Sequence, residues 1–341
     1  MKRVMLVTNS LTGGGAERSM NLLSNELMSR GTSICLVPIN RTGNDLVSPN
    51  CDVFPLYRNP ELRNLQTFRA YLKFIYTVYK WRPDFIVLNC DLPELFGALL
   101  PRFQKTIVVE HANPSWSNRT NLGKFVRKIL IRRHACFIAV SPHLSIWPKG
   151  AAPDFICENL LTPISYSPEI NIKNRSLSRI VFMGRLTNFQ KRPVQILDIS
   201  SIVKIPAIFI GDGPDKRFLY EDAQNRDIVA TFSGYVTDPW SLISQNDLLV
   251  VPSLFEGDGL VVVEAMQRNI PILVSDIPDF RRFKLPDLNY CASISNYVST
   301  IEIYREDLSA LVVPEETSRK IIESRSPKKV GDAWEILFKG L

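Results

Sequence analysis

The chain has 341 residues, 45% of them hydrophobic and 22% charged, which suits two globular domains of roughly 150 residues each and carries no signature of disorder. No apolar run approaches the ~18 residues of a membrane span, the six cysteines include no CxxC pair, and no two of the three histidines have zinc-ligand spacing; these features argue against a spanning protein, a disulfide scaffold and a zinc domain. The formal charge of +7 is uneven: residues 1–165 hold 20 Lys and Arg against 11 Asp and Glu, whereas 166–341 hold 21 against 23.

A basic first half suits a partner with phosphates or an anionic membrane surface, with solubilising charge on exposed helices as the plain alternative. The opening "MKRVMLVTNS" is too short in its apolar part for a signal peptide and reads as a first strand. That strand, "RVMLVTN", runs into the glycine-rich "SLTGGGAERS". The segment 20–31 follows as a helix, with Leu22, Leu23 and Leu27 at helical spacing and Gly31 as its stop. "TSICLVPI" is then a second strand, which completes a βαβ unit of a parallel sheet.

An aromatic-rich helix is expected over 61–81, its aromatics packed in the core, followed by short buried strands at "DFIVLN", "TIVVEH" and "CFIAVS". Between the last two lies "NRTNLGKFVRKILIRRHACF", a basic amphipathic helix with Arg119, Lys124, Arg127, Lys128, Arg132 and Arg133 set among apolar residues. Such a helix suits anionic lipid, so peripheral membrane contact through 119–133 is expected, with 61–81 as a second candidate. The stretch 158–176, rich in Pro, Ser and Asn, reads as a linker.

A second series of strands begins near Ile180: "RIVFMGRL", "AIFIGDG", "VATFSGY", "LLVVPS" and "PILVSD", with helices at 192–203 and 259–269 between some of them. Two such series imply an α/β protein of two doubly wound, Rossmann-like domains facing across a cleft. The expected boundaries are 1–165 for an acceptor-side domain, 166–325 for a donor domain, and a closing helix over 326–341 that packs back on the first.

Three glycine turns and a glutamate pair carry the candidate chemistry. In Gly13-Gly14-Gly15-Ala16-Glu17-Arg18, Arg18 stands where a dinucleotide fingerprint needs glycine, and no P-loop lysine follows; the loop still suits an anion or a sugar hydroxyl. "MGRLTNFQKR" sets Arg185 and Lys191 just after a strand, as a diphosphate would require, and "GDGP" repeats a glycine turn at 211–214. His111 stands at the carboxyl end of its strand. "SLFEGDGLVVVEAM" places Glu256 in a loop and Glu264 about two turns into the next helix, and carboxylates accept charge-assisted bonds from sugar and ribose hydroxyls. No Asp-x-Asp occurs, so a bridging metal has no candidate ligands and no metal is expected.

Together "TGGGAERS", "MGRLTNFQK", "GDGP", "SGYV" and "SLFEGDGLVVVEAM…IPILVSDIPDF" resemble the retaining glycosyltransferases of family 4, which have the GT-B fold; the two glutamates separated by seven residues are the most specific feature. The resemblance implies that Arg185 and Lys191 hold the donor diphosphate, beside Gly184, and that Glu264 takes the ribose hydroxyls. It implies Glu256 at the donor sugar with the backbone of Gly257, Asp258, Gly259 and Leu260, and Tyr235 and Val236 along the base. Gly14 and Gly15 would approach the donor phosphate or the acceptor, and His111 would sit by the donor sugar. The implied reaction is metal-independent transfer with retention from a nucleotide-sugar, UDP favoured over GDP, to a glycan or lipid-linked acceptor of a surface polysaccharide or glycolipid. No other cofactor and no nucleic-acid partner are expected, and the expected location is the cytoplasm, peripheral to the inner membrane face. Three departures stand out: the six-position spacing of Arg185 and Lys191, Asp258 where an apolar residue is frequent, and Asn269 at a usual glycine position. A nucleotide-sugar 2-epimerase and a non-catalytic assembly subunit are the competing readings.

Overall fold

The computed structural model describes residues 1–11, 14–41, 50–59, 63–100, 104–111, 116, 119–162, 164 and 175–341. Thr12 and Gly13 of the first glycine loop, Glu61 and Leu62 of the expected long helix, and most of the expected linker lie outside these residues. The chain divides into two compact units, Met1–Thr162 with Ser324–Leu341, and Pro163–Glu323.

The first unit contains β1 (Arg3–Thr8), α1 (Gly15–Ser29), β2 (Ser33–Pro38), β3 (Asp52–Val53), α2 (Arg63–Trp81), β4 (Phe85–Asn89), α3 (Asp91–Ala98), β5 (Lys105–Glu110), α4 (Thr120–Arg132), β6 (Cys136–Ala139) and β7 (Phe155–Ile156). Its sheet is parallel throughout, in the order β3-β2-β1-β4-β5-β6-β7. Alternation along each strand builds two cores. Val4, Leu6, Ile34, Leu36, Phe85 and Val87 join one cluster, and Met5, Val7, Cys35, Val37, Ile86 and Leu88 the other. The helix α1 covers the first face; α2, α3 and α4 cover the second.

The second unit contains β8 (Arg179–Met183), α5 (Val194–Val203), β9 (Ala207–Ile210), α6 (Lys216–Asn225), β10 (Ala230–Gly234), β11 (Asp247–Val251), α7 (Leu260–Gln267), β12 (Ile272–Ser275), α8 (Pro278–Arg281), β13 (Tyr290–Cys291), α9 (Ile294–Tyr304) and α10 (Glu315–Ser324). Its parallel sheet runs β10-β9-β8-β11-β12-β13. The closing helix α11 (Pro327–Gly340) belongs to the first unit, where Val330, Trp334, Leu337 and Phe338 enter the α1-side core. Each such side chain contributes about 1.5–3 kcal/mol by leaving water. Arg30 ties α1 to it, bonding Asp332 at 2.7 Å as well as Glu26 at 2.6 Å.

Three expectations change. The first helix begins at Gly15, so the glycine loop itself caps it. In α4 the inner face is Gly123, Val126, Arg127 and Leu130, so Arg127 is not part of an outward basic surface. It is buried, and Glu94 at 2.6 Å and Glu110 at 2.5 Å neutralise it. In α2 only some aromatics are core residues: Phe74 and Trp81 are buried, whereas Phe68, Tyr76 and Tyr79 are exposed. Among the described residues no helix is long and apolar enough to cross a membrane.

Candidate active site

In a doubly wound sheet the chain leaves in one direction from a central strand and then crosses to that strand's other side, and ligands bind at the carboxyl edge where this reversal occurs. The second unit has this reversal between β8 and β11, which are hydrogen-bonded neighbours. The loop after β8 carries Gly184, Arg185 and Lys191, and the loop after β11 carries Glu256 to Gly259 before α7 brings in Glu264. Residues 65 positions apart in sequence thereby meet.

The two loops are bonded together. Leu254 N–H donates to the Gln190 carbonyl at 2.8 Å, the Gln190 amide to the Phe255 carbonyl at 3.2 Å, and Arg192 Nε to the Pro252 carbonyl at 2.7 Å. Lys191 Nζ then reaches Glu256 Oε1 at 2.5 Å, and the Ser253 hydroxyl donates to the same oxygen at 2.7 Å. Glu256 is 5% exposed, so its charge is held by this pairing and not by bulk water. One ammonium hydrogen goes to Glu256, and an ammonium has three. Arg185 is exposed, and its guanidinium has no partner among the described residues. An anion arriving at this edge therefore meets one unengaged cation and one whose remaining hydrogens point away from Glu256.

Glu264 lies within α7, mostly buried, and Trp240 Nε1 donates to its Oε2 at 3.0 Å. Arg268 stacks on the Trp240 ring at 4.6 Å and bonds the Glu264 carbonyl at 3.0 Å, so the indole is fixed from both sides. Asp258 is buried against Arg282, which donates to its carbonyl at 2.6 Å and to its Oδ1 at 3.0 Å. Its charge is thus met inside the protein. The Glu256 N–H donates to Asp279 Oδ2 at 2.7 Å, which fastens the loop to α8.

Gly211 and Gly259 show why these loops need glycine. Gly211 has φ +134° and is packed so closely on the Gly184 carbonyl that any side chain would collide with backbone. Gly259 caps α7 at φ +59°, with Phe280 and Phe283 filling the space a Cβ would need. Asn269, beyond the other end of α7, adopts φ +51°, the left-handed geometry that lets Asn replace glycine there. Tyr235 is exposed and Val236 half-buried just after β10.

The first unit has its own reversal between β1 and β4. Gly14 and Gly15 follow β1 and start α1; the Glu17 carboxylate stands against Gly14, which favours a hydroxyl over a phosphate at that helix end. Asn89 ends β4, and after it come Cys90 in a positive-φ conformation (+85°) and Asp91 at the start of α3. His111 Nε2 is bonded to the fully buried Asn89 Oδ1, so the histidine of one strand end is aimed by the asparagine of the next. Burial, reinforced by nearby Glu94, pushes the Asp91 carboxyl up to about 6.

Trp240, Ser253, Gln190 and Asn89 escaped the sequence reading. Only Asn89 carried a signal, a polar residue closing the apolar run "FIVLN"; the others act through contacts distant in sequence. No three of the His, Cys, Asp and Glu side chains among the described residues converge as metal ligands. All six cysteines are free thiols.

Residues 167–283, within the second unit, match the family model described as glycosyl transferases group 1. An O-antigen biosynthesis glycosyltransferase of Escherichia coli, WclY, is 31% identical over 121 residues. That match spans 34% of this chain and 33% of that protein, about a third of each. Among solved structures, Anabaena HepE in complex with UDP and glucose superposes with a TM-score of 0.80 at 15% identity, over 100% of both chains. Sucrose-phosphate synthase from Thermosynechococcus elongatus gives a TM-score of 0.77 at 16% identity, over 100% of this chain and 99% of the other. These likenesses establish the fold as GT-B, two parallel-sheet Rossmann-like units.

Proposed function

We propose that the protein is a nucleotide-sugar-dependent glycosyltransferase acting with retention, without a metal, on a glycan or lipid-linked acceptor of a surface polysaccharide, and meeting an anionic membrane face peripherally. The observation that carries this reading is the Lys191–Glu256 pair at the reversal point of the second sheet, with Arg185 exposed in the same loop as Lys191 and Glu264 held by Trp240 in the helix that follows. In it Arg185 and the remaining Lys191 hydrogens take the donor diphosphate, and their charge compensates the departing phosphate. Glu264, held by the indole, accepts the ribose hydroxyls, and Tyr235 and Val236 flank the base.

Glu256 does double duty. It holds Lys191 in place, and it meets the donor sugar together with the backbone of Gly257 to Leu260. Asp258, neutralised by Arg282, shapes this loop instead of presenting a free charge to the sugar. Within the first unit His111 is oriented by Asn89, and Gly14 and Gly15 at the start of α1 suit a sugar hydroxyl. The acceptor attacks from the face the diphosphate leaves, and the diphosphate takes its proton. The WclY likeness supports a surface-polysaccharide acceptor, and the HepE complex supports UDP over GDP.

Calorimetric titration of UDP, GDP and ADP into wild type and Glu264→Ala, with EDTA present, tests the reading. One nucleoside diphosphate binds wild type and loses roughly tenfold in the variant, the size of a charged hydrogen-bond pair. Equal affinity for both proteins removes Glu264 from the site. A sugar epimer formed without acceptor would replace transfer by epimerisation.

A further inference from the structure

The helix α2 has two apolar faces. Ala70, Phe74, Val78 and Trp81 face the core, yet Leu65, Phe68, Leu72, Tyr76 and Tyr79 are each 50–72% exposed. At 100° per residue these five fall within an arc of about 80°, opposite the buried face, in a stripe about 21 Å long. A surface helix ordinarily turns polar residues to water, and one apolar on both sides is normally enclosed by protein or lipid. Exposed Arg69, Lys73 and Lys80 line one edge of the stripe, and α2 contains no Asp or Glu.

The stripe belongs to a larger surface. The Tyr71 hydroxyl donates to the Leu99 carbonyl at 2.7 Å, just past α3, and Arg133, just past α4, donates to the Leu100 carbonyl, so the three helices form one layer. In that layer α4 presents Lys124, Lys128 and Arg132 with exposed Phe125, and α4 too has no acidic residue.

We propose that the outer face of α2 docks on an anionic lipid bilayer. Phe68, Leu72 and Tyr76 enter the boundary between headgroups and acyl chains, and Tyr79 sits at headgroup level. The cations of α2 and α4 contact lipid phosphates. A second copy fits less well, because a two-fold contact through α2 sets the same cations against each other with no acid between them. The amino end of α2 is anchored at the carboxyl edge of the sheet, where Arg58 bridges to Asn40 after β2 and bonds Thr67 at 2.8 Å. A membrane-bound α2 therefore brings that edge, with Gly14 and His111, toward the lipid. This names the surface behind the peripheral contact proposed above, but it rests on exposure and charge alone and stands whether or not the transferase reading does.

The test is co-sedimentation of the full chain with vesicles of phosphatidylcholine alone or mixed with phosphatidylglycerol, with sedimentation velocity run in parallel. Wild type pellets with the anionic vesicles, and Phe68→Ser/Leu72→Ser/Tyr76→Ser loses at least roughly tenfold in binding while keeping its circular dichroism and nucleotide affinity. Arg69→Glu/Lys80→Glu, which leaves the apolar stripe intact, loses the preference for anionic over neutral vesicles and answers the question if the serine variant misfolds. Wild type remaining in the supernatant overturns the proposal. So does a serine variant that binds like wild type, or a wild-type dimer that the serine variant turns into monomer without any vesicle binding.

Discussion

Each unit holds a guanidinium or ammonium locked to glutamate, and the two arrangements serve opposite ends. In the first unit Arg127 is sealed: Glu94 holds it by two bonds, Glu110 by a third, and the Trp147 carbonyl by a fourth, all away from solvent. In the second, Lys191 keeps one bond to Glu256 at the open edge of the sheet, with Arg185 exposed in the same loop. A charge whose donors are all used is part of the scaffold, and one with donors left over is available to a ligand. Openness, more than charge or burial, separates the two.

Arg127→Met removes the sealed guanidinium. It strands two buried carboxylates, and a loss of about 3–5 kcal/mol in stability is expected from denaturant unfolding, with nucleotide affinity unchanged in the folded fraction. A variant of wild-type stability that has lost affinity would place Arg127 in the site. Glu256→Gln carries the converse expectation: the amide keeps the shape of the side chain but leaves Lys191 without its counter-charge, so stability falls by about 1–3 kcal/mol, less than for Arg127→Met, while steady-state turnover falls on the order of 10²–10³-fold.

A smaller effect tests the indole that positions Glu264. Trp240→Phe keeps an aromatic surface for Arg268 but removes the donor, and nucleotide affinity by calorimetry is expected to drop roughly five- to tenfold, about 1 kcal/mol. The least of the four concerns Asp91. Its folded carboxyl is raised to about 6, so the favourable contribution of the protonated form is complete below about pH 4 and is lost as the pH rises through 6. Asp91→Asn should therefore be more stable than wild type at pH 7, by about 1 kcal/mol after allowance for partial exposure, and equal to it near pH 4. Thermal unfolding at the two pH values reads the difference.

The fold class, and which residue types fall at the ends of the strands, can be read from the sequence. Strands such as "RVMLVT" and "DLLVV" are apolar throughout because both faces of a parallel sheet are covered, and that pattern is local and therefore readable. The placing of Arg185 and His111 just past the apolar runs of β8 and β5, of Glu256 in the loop before α7 and of Glu264 inside that helix was legible for the same reason. Tertiary structure alone decided which charges face inward. Arg127 and Lys128 are neighbours in one basic run, yet one helix step of about 100° buries the first against Glu94 and Glu110 and leaves the second in water. The same rotation divides the aromatics of α2 between core and surface. Trp240 reaches Glu264 and Asn89 reaches His111 only because parallel strands place distant loops side by side, and no local pattern in either segment encodes its partner.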